Sequence, residues 1–406
     1  PQGARASGRL VFQRCNTAAK RAQRDARMWR PMTHLDRRAL LAGFTALSLA
    51  PHAAAQDRVG AARTALAPDG PVDRALAALA SEDRFAGVAY ASINGAPVLA
   101  RAFGMANRER GEAHTVESRF NVASMGKMFT AVAIGQLIER GALGLDDPAL
   151  RHRPDLSDCV PERATIAHLL SHTSGLGSYF GSPLWAERGG AARSIDDFLA
   201  LIRHERVAPD YDGAYRYSNS GYVVLGAIIE RVTRQDYYAH VSENVFARAG
   251  MRNSAFASHA SPGLATGYSN GCFARPPSQC TPSAWTPTMI GAGRGSPAGG
   301  SYSTAPDMDA FAHALRTGRL MRTETFDLMK TARVQMPMQG GPLDAYCLGF
   351  GRLTVNGQAL WGHNGGTIGW GCQMDCVETA PINLIVMTNQ DAAQRPGSAA
   401  LRQALA

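Results

Sequence analysis

The chain has 406 residues, enough for one large domain or two of ordinary size. Its formal net charge is +9, but residues 1–55 alone contain ten Lys and Arg against two Asp and Glu. That segment therefore holds +8 of the charge, and about +1 remains for the other residues. Because no basic patch remains beyond residue 55, the composition does not indicate nucleic-acid binding.

Residues 36–55 have the features of a cleaved export signal. Two adjacent arginines precede a mildly apolar run, and an Ala-x-Ala sequence ends at Ala55. The run is shorter than the about 20 residues that a membrane span needs, and the paired arginines resemble a twin-arginine signal. We therefore expect cleavage near Ala55 and a periplasmic or secreted protein, with Met32 as the natural start and residues 1–31 as an upstream extension. The alternative is an amphipathic N-terminal helix.

Six cysteines follow this segment: Cys159, Cys272, Cys280, Cys347, Cys372 and Cys376. Their pairing cannot be read from the sequence alone, although Cys272 and Cys280 flank a Pro-rich loop and are the pair most easily joined. Cys372 and Cys376 lie about 13 Å apart if they share a strand, which is too far for a disulfide. The sequence has no Cys-x-x-Cys motif or His-rich cluster, so we expect no metal site.

Strand-like segments lie near both ends of the chain. The predicted strands cover residues 85–93, 97–103, 348–355, 359–362, 367–376 and 383–388. Asn94-Gly95 between the first two is a strong hairpin signal. The clearest predicted helices cover residues 72–80, 125–140, 194–206, 220–234 and 394–406.

This order predicts an α+β fold. Strands from both termini form one antiparallel sheet flanked by helices, and a mostly α-helical subdomain is inserted between them. We expect residues 56–406 to form one domain, with an α/β part at about 72–140 and 330–406 and a helical part at about 141–329. The helix over residues 125–140 is apolar nearly all round, which is typical of a buried helix.

Ser124 and Lys127 form the first candidate catalytic motif. Residues i and i+3 share one helix face, and a desolvated lysine can accept the proton of a serine hydroxyl. The chain has only three lysines, Lys20, Lys127 and Lys330, against 39 arginines. Arginine is effectively never deprotonated and cannot act as a base. The chain therefore has one of its few lysines, Lys127, at a position where a base is needed. Ser124 also precedes a helix, whose N-terminal N–H groups suit an oxyanion.

Tyr217-Ser218-Asn219 and the segment 361–366 are two further candidate elements. Tyr217 can ionise more readily beside an ammonium and relay a proton, and Asn219 can contact a substrate amide. The alternative is a packed tyrosine and a helix cap. In the other segment, His363 can place a charge or a donor near Tyr217, and its glycines allow close approach of a substrate. The alternative there is an ordinary hairpin turn with a surface histidine.

In this order, the three elements resemble the serine β-lactamase and penicillin-binding-protein superfamily. The similarity is strongest to its class C-like members: D-aminopeptidases, D,D-peptidases and family VIII carboxylesterases. Three further stretches match segments of that family: residues 169–176, 298–304 with Asp307, and 348–350. The resemblance extends from about residue 73 to 390 and implies a β-lactamase/transpeptidase-like fold.

The resemblance also implies a role for each motif residue. Ser124 would be the acylated nucleophile, Lys127 its activating base, and Tyr217 the group that relays protons and activates the deacylating water. Asn219, His363 and Gly365 would contact the substrate. The oxyanion hole would consist of the backbone N–H groups of Ser124 and Gly366. His172, within the matching 169–176 segment, is interpreted as structural.

Two features separate this chain from other members of the superfamily. The third motif is His363-Asn364-Gly365 instead of Lys-Thr-Gly, which favours peptidase or esterase activity over efficient β-lactamase activity. Because imidazole titrates near neutrality, it also predicts a rate that varies between pH 5 and 8. The Tyr-Ser-Asn motif differs from the Ser-Asp-Asn of class A enzymes, so we expect no deacylating glutamate of that type.

A different nucleophile motif, Gly-x-Ser-x-Gly, is matched by the sequence Gly267-Tyr268-Ser269-Asn270-Gly271. That motif requires a strand before the serine and a helix after it. Prolines at 262, 276 and 277 disfavour this setting. We therefore predict that Ser269 is not the nucleophile.

The sequence thus predicts an exported serine hydrolase that acts through an acyl-enzyme on Ser124, on short-chain esters or on peptides and amides with D-residues. One alternative is a penicillin-binding D,D-carboxypeptidase or weak class C-like β-lactamase. Another is a catalytically idle binding protein on the same fold. We expect a small-molecule or peptide substrate, no cofactor and no membrane span, and the oligomeric state is left open.

Overall fold

The computed structural model describes residues 56–205, 213–258, 261–273, 281–288, 293–336 and 343–406. The predicted export signal lies outside these residues. Within the described ranges, none of the helices combines the length and hydrophobicity that crossing a bilayer requires.

Strands from both ends of the chain form one antiparallel sheet, as predicted. Within the described residues it has eight strands in the order β2-β1-β8-β7-β6-β5-β4-β3. The strands are β1 Gly87–Ile93, β2 Ala96–Phe103, β3 Val334–Gln335, β4 Ala345–Tyr346, β5 Gly351–Val355, β6 Gln358–Thr367, β7 Trp370–Val377 and β8 Ile382–Thr388. Every residue of β1, β7 and β8 is buried, because helices cover both faces of the sheet.

Helices occupy both faces of the sheet and the region between its two halves. Residues 56–65 are also helical. The helices after them are α1 Pro71–Ser81, α2 Lys127–Glu139, α3 Ala149–His152, α4 Ile166–Leu170, α5 Trp185–Arg188, α6 Ile195–Ile202, α7 Ser220–Thr233, α8 Tyr237–Val241, α9 Ala305–Arg316, α10 Thr323–Met329 and α11 Gln394–Arg402. Leu76 of α1 and Leu401 of α11 pack in the apolar core on one face. Helices α2 and α7 belong to the larger core on the other face. The predicted α+β architecture with an inserted helical region is confirmed.

The Asn94-Gly95 turn joins β1 to β2 as the sequence indicates. Both residues have positive φ, 54° and 72°, which is the conformation of a type I′ turn and the reason that Asn-Gly is favoured there. The central helix is also confirmed, since residues 127–137 of α2 are all buried. It begins two residues later than predicted, at Lys127, because a 3₁₀ turn occupies Ala123–Gly126.

Two predicted strand boundaries are wrong. The strand expected from residue 348 begins at Gly351. More importantly, the segments 359–362 and 367–376 do not flank a turn at His363. Strand β6 continues through that residue to Thr367, and the chain reverses at Gly369, which has a φ of +84°. The glycines at 365 and 366 indicated a turn, but their pairing with Cys372 and Gly371 of β7 extends the strand through them.

The cysteines agree with the predictions as far as the described residues reach. Cys272 is disulfide-bonded, and Cys280, its expected partner, lies outside those residues. Cys372 and Cys376 are both free and buried within β7. Their separation along one strand accounts for the absence of a bond between them.

Candidate active site

Ser124 lies in the 3₁₀ turn that leads into α2, at the base of a cleft. The residue before it, Ala123, has a φ of +45°, which is unusual for a residue with a side chain. Two glycines support this turn: Gly300 N–H donates to the Ala123 carbonyl at 3.2 Å, and a Cβ on Gly299 would lie 2.0 Å from the same oxygen. The strained turn presents Ser124 to the cleft.

The cleft has a volume of about 410 Å³. Its described lining residues are Asn121, Ala123, Ser124, Tyr179, Phe180, Trp185, Tyr217, Asn219, Phe273, Gly295, Ala298, Gly299, Gly300, Gly366, Thr367 and Ile368. None of these side chains is acidic or basic. The cleft therefore brings Ser124, Tyr217, Asn219 and Gly366 together, as predicted, while Lys127 lies beneath its floor.

Lys127 is completely buried. Its Nζ lies 3.3 Å from Ser124 Oγ and donates to Asn219 Oδ1 at 2.7 Å and to the Ala298 carbonyl at 2.8 Å. Burial lowers the pKa of the ammonium well below its usual value, since no carboxylate is among these partners to offset the desolvation. Burial therefore shifts the balance from the ammonium towards the free amine that a base requires.

The hydrogen bonds of that amine direct its lone pair. A free amine has two N–H groups, and the oxygens of Asn219 and Ala298 are acceptors that take both of them. The third contact, with Ser124, involves a hydroxyl that can donate to the remaining lone pair. This arrangement makes Lys127 a base that faces the nucleophile.

Tyr217 forms part of the cleft wall, with 39% of its surface exposed. Burial raises the pKa of the phenol, an effect that a hydrogen bond with Ser124 opposes in part. Lys127 Nζ lies 4.7 Å from the centre of its ring. The direction of this pKa shift is opposite to the easier ionisation expected from a neighbouring ammonium, because the desolvation of the phenol dominates. A neutral hydroxyl bonded to Ser124 can still relay a proton.

Ser218 and Asn219, which follow Tyr217, have different roles: one caps a helix and the other binds Lys127. Ser218 caps α7, since its Oγ accepts from Gly221 N–H at 2.8 Å. Asn219 makes no cap and bonds instead to Lys127 and, through Nδ2, to Ser178 Oγ at 2.9 Å. The helix-cap alternative is therefore correct for Ser218 only.

His172 lies behind this motif and outside the cleft lining. Its Nδ1 accepts from Ser218 N–H at 3.0 Å, and its ring centre lies 4.3 Å from that of Tyr217. Burial, followed by the charges of Lys127 and His363, lowers the imidazole pKa well below its ordinary value. A neutral, buried His172 that supports Tyr217 fits the predicted structural role.

His363 is also buried and does not line the cleft, which corrects the alternative of a surface histidine. Its Nε2 lies 2.9 Å from the Tyr346 hydroxyl, and its Nδ1 contacts the carbonyl of Asn364. Burial, with a smaller effect of Lys127, lowers its pKa to about 4. This pKa is below the pH 5 to 8 range in which the sequence predicts a titration, and the side chain packs beneath the cleft surface. The dependence of the rate on His363 and its contact with a substrate stay predictions.

The two glycines of β6 have different surroundings. A Cβ on Gly365 would lie 2.2 Å from the Val122 carbonyl and 3.2 Å from Ser124 N, so this residue lets β6 pack against the nucleophile turn. It is not among the described lining residues, and its contact with a substrate stays a prediction. Gly366 does line the cleft beside Ser124. The backbone of Gly366 is thus placed near the nucleophile, as an oxyanion hole requires.

Ser269 lies in a short strand, and its hydrogen bonds indicate a structural role. It ends the short strand Gly267–Ser269, and its hydroxyl donates to Asp391. The same carboxylate accepts from Gly369 N–H at 2.5 Å. Residues 270–273, the described residues directly after Ser269, are not helical, so the geometry of the Gly-x-Ser-x-Gly motif is not formed there.

Sequence reasoning missed the residues that shape the cleft around the nucleophile. Ser178, Tyr179, Phe180 and Trp185 come from a segment without a recognisable motif, which includes a 3₁₀ turn at Tyr179–Gly181 and the start of α5. The Ala298 carbonyl is a backbone group. The only signal was the cluster of aromatic residues at 179–185. Within the described residues, no three His, Cys, Asp or Glu side chains lie close enough to hold a metal ion.

Comparison with known proteins places this geometry in a family. The Beta-lactamase family model matches residues 72–406. The chain is 36% identical over 242 residues to esterase EstB of Burkholderia gladioli, covering 56% of this chain and 60% of the esterase. It is 31% identical over 181 residues to penicillin-binding protein 4* of Bacillus subtilis strain 168, covering 43% and 39%. The chain therefore matches less than two thirds of these relatives' lengths.

Solved structures share the fold. A penicillin-binding protein from Bacillus halodurans is 27% identical with a TM-score of 0.69, over 81% of this chain and 98% of that protein. A D-amino acid amidase from Ochrobactrum anthropi SV3 is 21% identical with a TM-score of 0.71, over 82% and 98%. Since the family match covers most of the sequence and the whole candidate site, the chain belongs to the β-lactamase family.

Proposed function

We propose that this protein is a serine hydrolase that cleaves short-chain carboxylic esters through an acyl-enzyme on Ser124. The observation that carries the proposal is the environment of Lys127, a buried amine without a carboxylate partner, 3.3 Å from Ser124 Oγ. A serine hydroxyl is a weak nucleophile unless an adjacent base takes its proton.

The site can perform both halves of the reaction. In acylation, Ser124 Oγ attacks the ester carbonyl carbon while its proton passes to Lys127 Nζ. The bond to the alcohol oxygen then breaks, and that oxygen takes up the proton from Lys127, directly or through the Tyr217 hydroxyl. In deacylation, water attacks the acyl carbon, its proton passes along the same route, and the carboxylic acid leaves as Ser124 regains a proton. The N–H groups of Ser124 and Gly366 would stabilise the oxyanion in both steps.

The uncharged cleft favours esters over the other substrate classes of similar proteins. A penicillin or a peptide with a free C-terminus carries a carboxylate, which basic side chains usually recognise. An amino acid amide carries an ammonium, which acidic side chains would recognise. Because neither type lines the described cleft, a neutral ester loses the least solvation on binding. The esterase relative supports the same interpretation.

Export stays a separate proposal. It rests on the paired arginines, the apolar run and the Ala-x-Ala sequence before residue 56. Fractionation of cells that express the full chain tests it: we expect the protein in the periplasm or medium, cleaved near Ala55. Uncleaved protein in the cytosol would contradict it.

The function is tested by incubating the protein with p-nitrophenyl butyrate and, in parallel, with benzylpenicillin. Intact masses are recorded after a rapid acid quench, with Ser124→Ala and Ser269→Ala as matched variants. We expect a butyryl adduct and p-nitrophenol release with the wild type and Ser269→Ala, and neither with Ser124→Ala. A penicilloyl adduct without ester turnover would favour the D,D-carboxypeptidase alternative. Neither adduct nor turnover would favour the idle binding protein.

A further inference from the structure

Three aromatic side chains form a continuous wall along one side of the cleft. Tyr179, Phe180 and Trp185 all line it. The Phe180 ring centre lies 4.6 Å from that of Tyr179 and 4.5 Å from that of Trp185, the latter edge-to-face at 79°. These are the separations at which aromatic rings attract each other. We call these three residues the aromatic wall.

Contacts behind the aromatic wall hold two of its members in place. Tyr179 is only 3% exposed; its hydroxyl lies 3.0 Å from Ser296 Oγ, and its ring packs against Phe198. The backbone at Gly189 covers the indole of Trp185, because a Cβ there would lie 2.2 Å from Trp185 Cε3. The wall is therefore ordered before a substrate binds, so binding costs little side-chain entropy.

The third member is open to a ligand. Phe180 is 46% exposed, one of the few large apolar side chains among the described residues with so much free surface. Phe273 and Ile368 also line the cleft. Phe273 Cε2 is 3.8 Å from the position that a Cβ on Gly366 would occupy, so apolar surface adjoins the proposed oxyanion site. A flat apolar group attached to a reacting carbonyl would thus meet apolar and aromatic side chains in the cleft.

Resting on the proposed ester hydrolysis, we propose that the aromatic wall selects esters that carry an aromatic ring. Phe180 and Trp185 would be the specificity-determining residues, with the ring packed against them. The ring can belong either to the acyl group or to the alcohol. An aromatic ring gains both apolar burial and ring–ring attraction there, whereas a saturated ring of similar size gains only burial.

Two matched substrate pairs test the inference and identify the ring's source. Methyl phenylacetate against methyl cyclohexylacetate varies the acyl group, and benzyl acetate against cyclohexylmethyl acetate varies the alcohol. We expect the wild type to prefer the aromatic ester of at least one pair by about two- to tenfold in kcat/KM. Phe180→Leu and Trp185→Leu should each bring that ratio close to one.

Trp285→Leu is the matched control, because Trp285 lies against Arg108 and is not among the cleft-lining residues. It should keep the wild-type ratio. Equal kcat/KM values within both pairs for the wild type, or a preference that survives in both wall variants, would overturn the inference while ester hydrolysis itself stands. If the wild type hydrolyses none of these esters and no p-nitrophenyl butyrate, the proposed function fails instead.

Discussion

Two buried lysines of this protein have opposite surroundings. Lys330 is paired with two carboxylates, Glu378 at 2.6 Å and Asp327 at 3.1 Å. Lys127 is more deeply buried, and its partners are an amide oxygen, a backbone carbonyl and the hydroxyl of Ser124. Burial alone therefore does not distinguish the two side chains. The difference lies in the charge that faces each of them.

The comparison shows how one residue type serves two purposes in one chain. An ammonium beside carboxylates is stabilised in its charged form and contributes to the fold. An amine surrounded by neutral oxygens is destabilised in its charged form, and burial lowers the Lys127 pKa accordingly. Its neutral form can then accept a proton. Lys330 is thus a structural residue, and Lys127 is available for chemistry.

Exchanging each lysine for methionine gives the largest expected difference. Lys127→Met should lower kcat/KM for p-nitrophenyl butyrate by about 10³- to 10⁴-fold, because Ser124 loses its base. Lys127→Arg should be equally inactive, since a guanidinium stays protonated. Steady-state kinetics on folded protein provide the measurement. Lys330→Met is the matched control, and its kcat/KM should stay within about threefold of the wild-type value. A similar loss of kcat/KM in both variants would contradict the distinction between the two lysines.

The pH profile sharpens the assignment of the base. As the pH falls through the lowered pKa of Lys127, the amine becomes protonated, so kcat/KM should fall by about tenfold per pH unit below the midpoint. His363, with a pKa of about 4, should not contribute above pH 5. His363→Gln should therefore keep the normalised shape of the profile. A limb between pH 5 and 8 that vanishes in this variant would instead assign it to the imidazole.

His363 should affect stability in acid, because burial disfavours the charged form of its imidazole just as it disfavours the charged form of Lys127. Its folded pKa of about 4 is below the unfolded value of about 6.5, so between these values the unfolded state binds the proton first. The free energy of unfolding should fall by about 3 kcal/mol from this residue as the pH drops from 6.5 to 4. Urea denaturation at both pH values measures it. His363→Gln should lose correspondingly less, and an unchanged loss would contradict the argument.

Lys330→Met should produce the smallest effect of the series, on stability alone. The substitution leaves Glu378 and Asp327 without their cation, but both carboxylates are partly exposed, with side-chain accessibilities of 28% and 62%. We therefore expect the free energy of unfolding to fall by about 2 kcal/mol, less than for a fully buried pair. Denaturant titration of the variant checks this, and an unchanged midpoint would show that the ion pair is not stabilising.

Local patterns in the sequence predicted most of the fold and the residues around the nucleophile. Asn94-Gly95 specified its hairpin because few dipeptides adopt two positive φ values easily. The spacing of Ser124 and Lys127 specified their contact, because both lie on one turn of chain. These inferences depend on interactions between residues that are close together in the sequence, so the sequence alone is enough to make them.

The features that could not be predicted depend on distant segments. His363 was expected at a turn, but its pairing with Met374 of β7 places it in a buried strand. The ionisation of Tyr217 was expected from a charged neighbour, whereas burial raises the pKa of the phenol and lowers that of the Lys127 ammonium. The segment that carries Phe180 and Trp185 has no periodic pattern, so its position beside Ser124 is visible only in the structure.

The most direct test of the account is a ¹³C NMR titration of protein labelled at lysine Cε. The chain has only three lysines, so the signals can be assigned with Lys127→Met and Lys330→Met. We predict that the Lys127 signal titrates with a midpoint well below the ordinary lysine value of about 10.4, in the range where the enzyme loses activity. A Lys127 signal that keeps its ammonium form up to about pH 10 would contradict its role as the base.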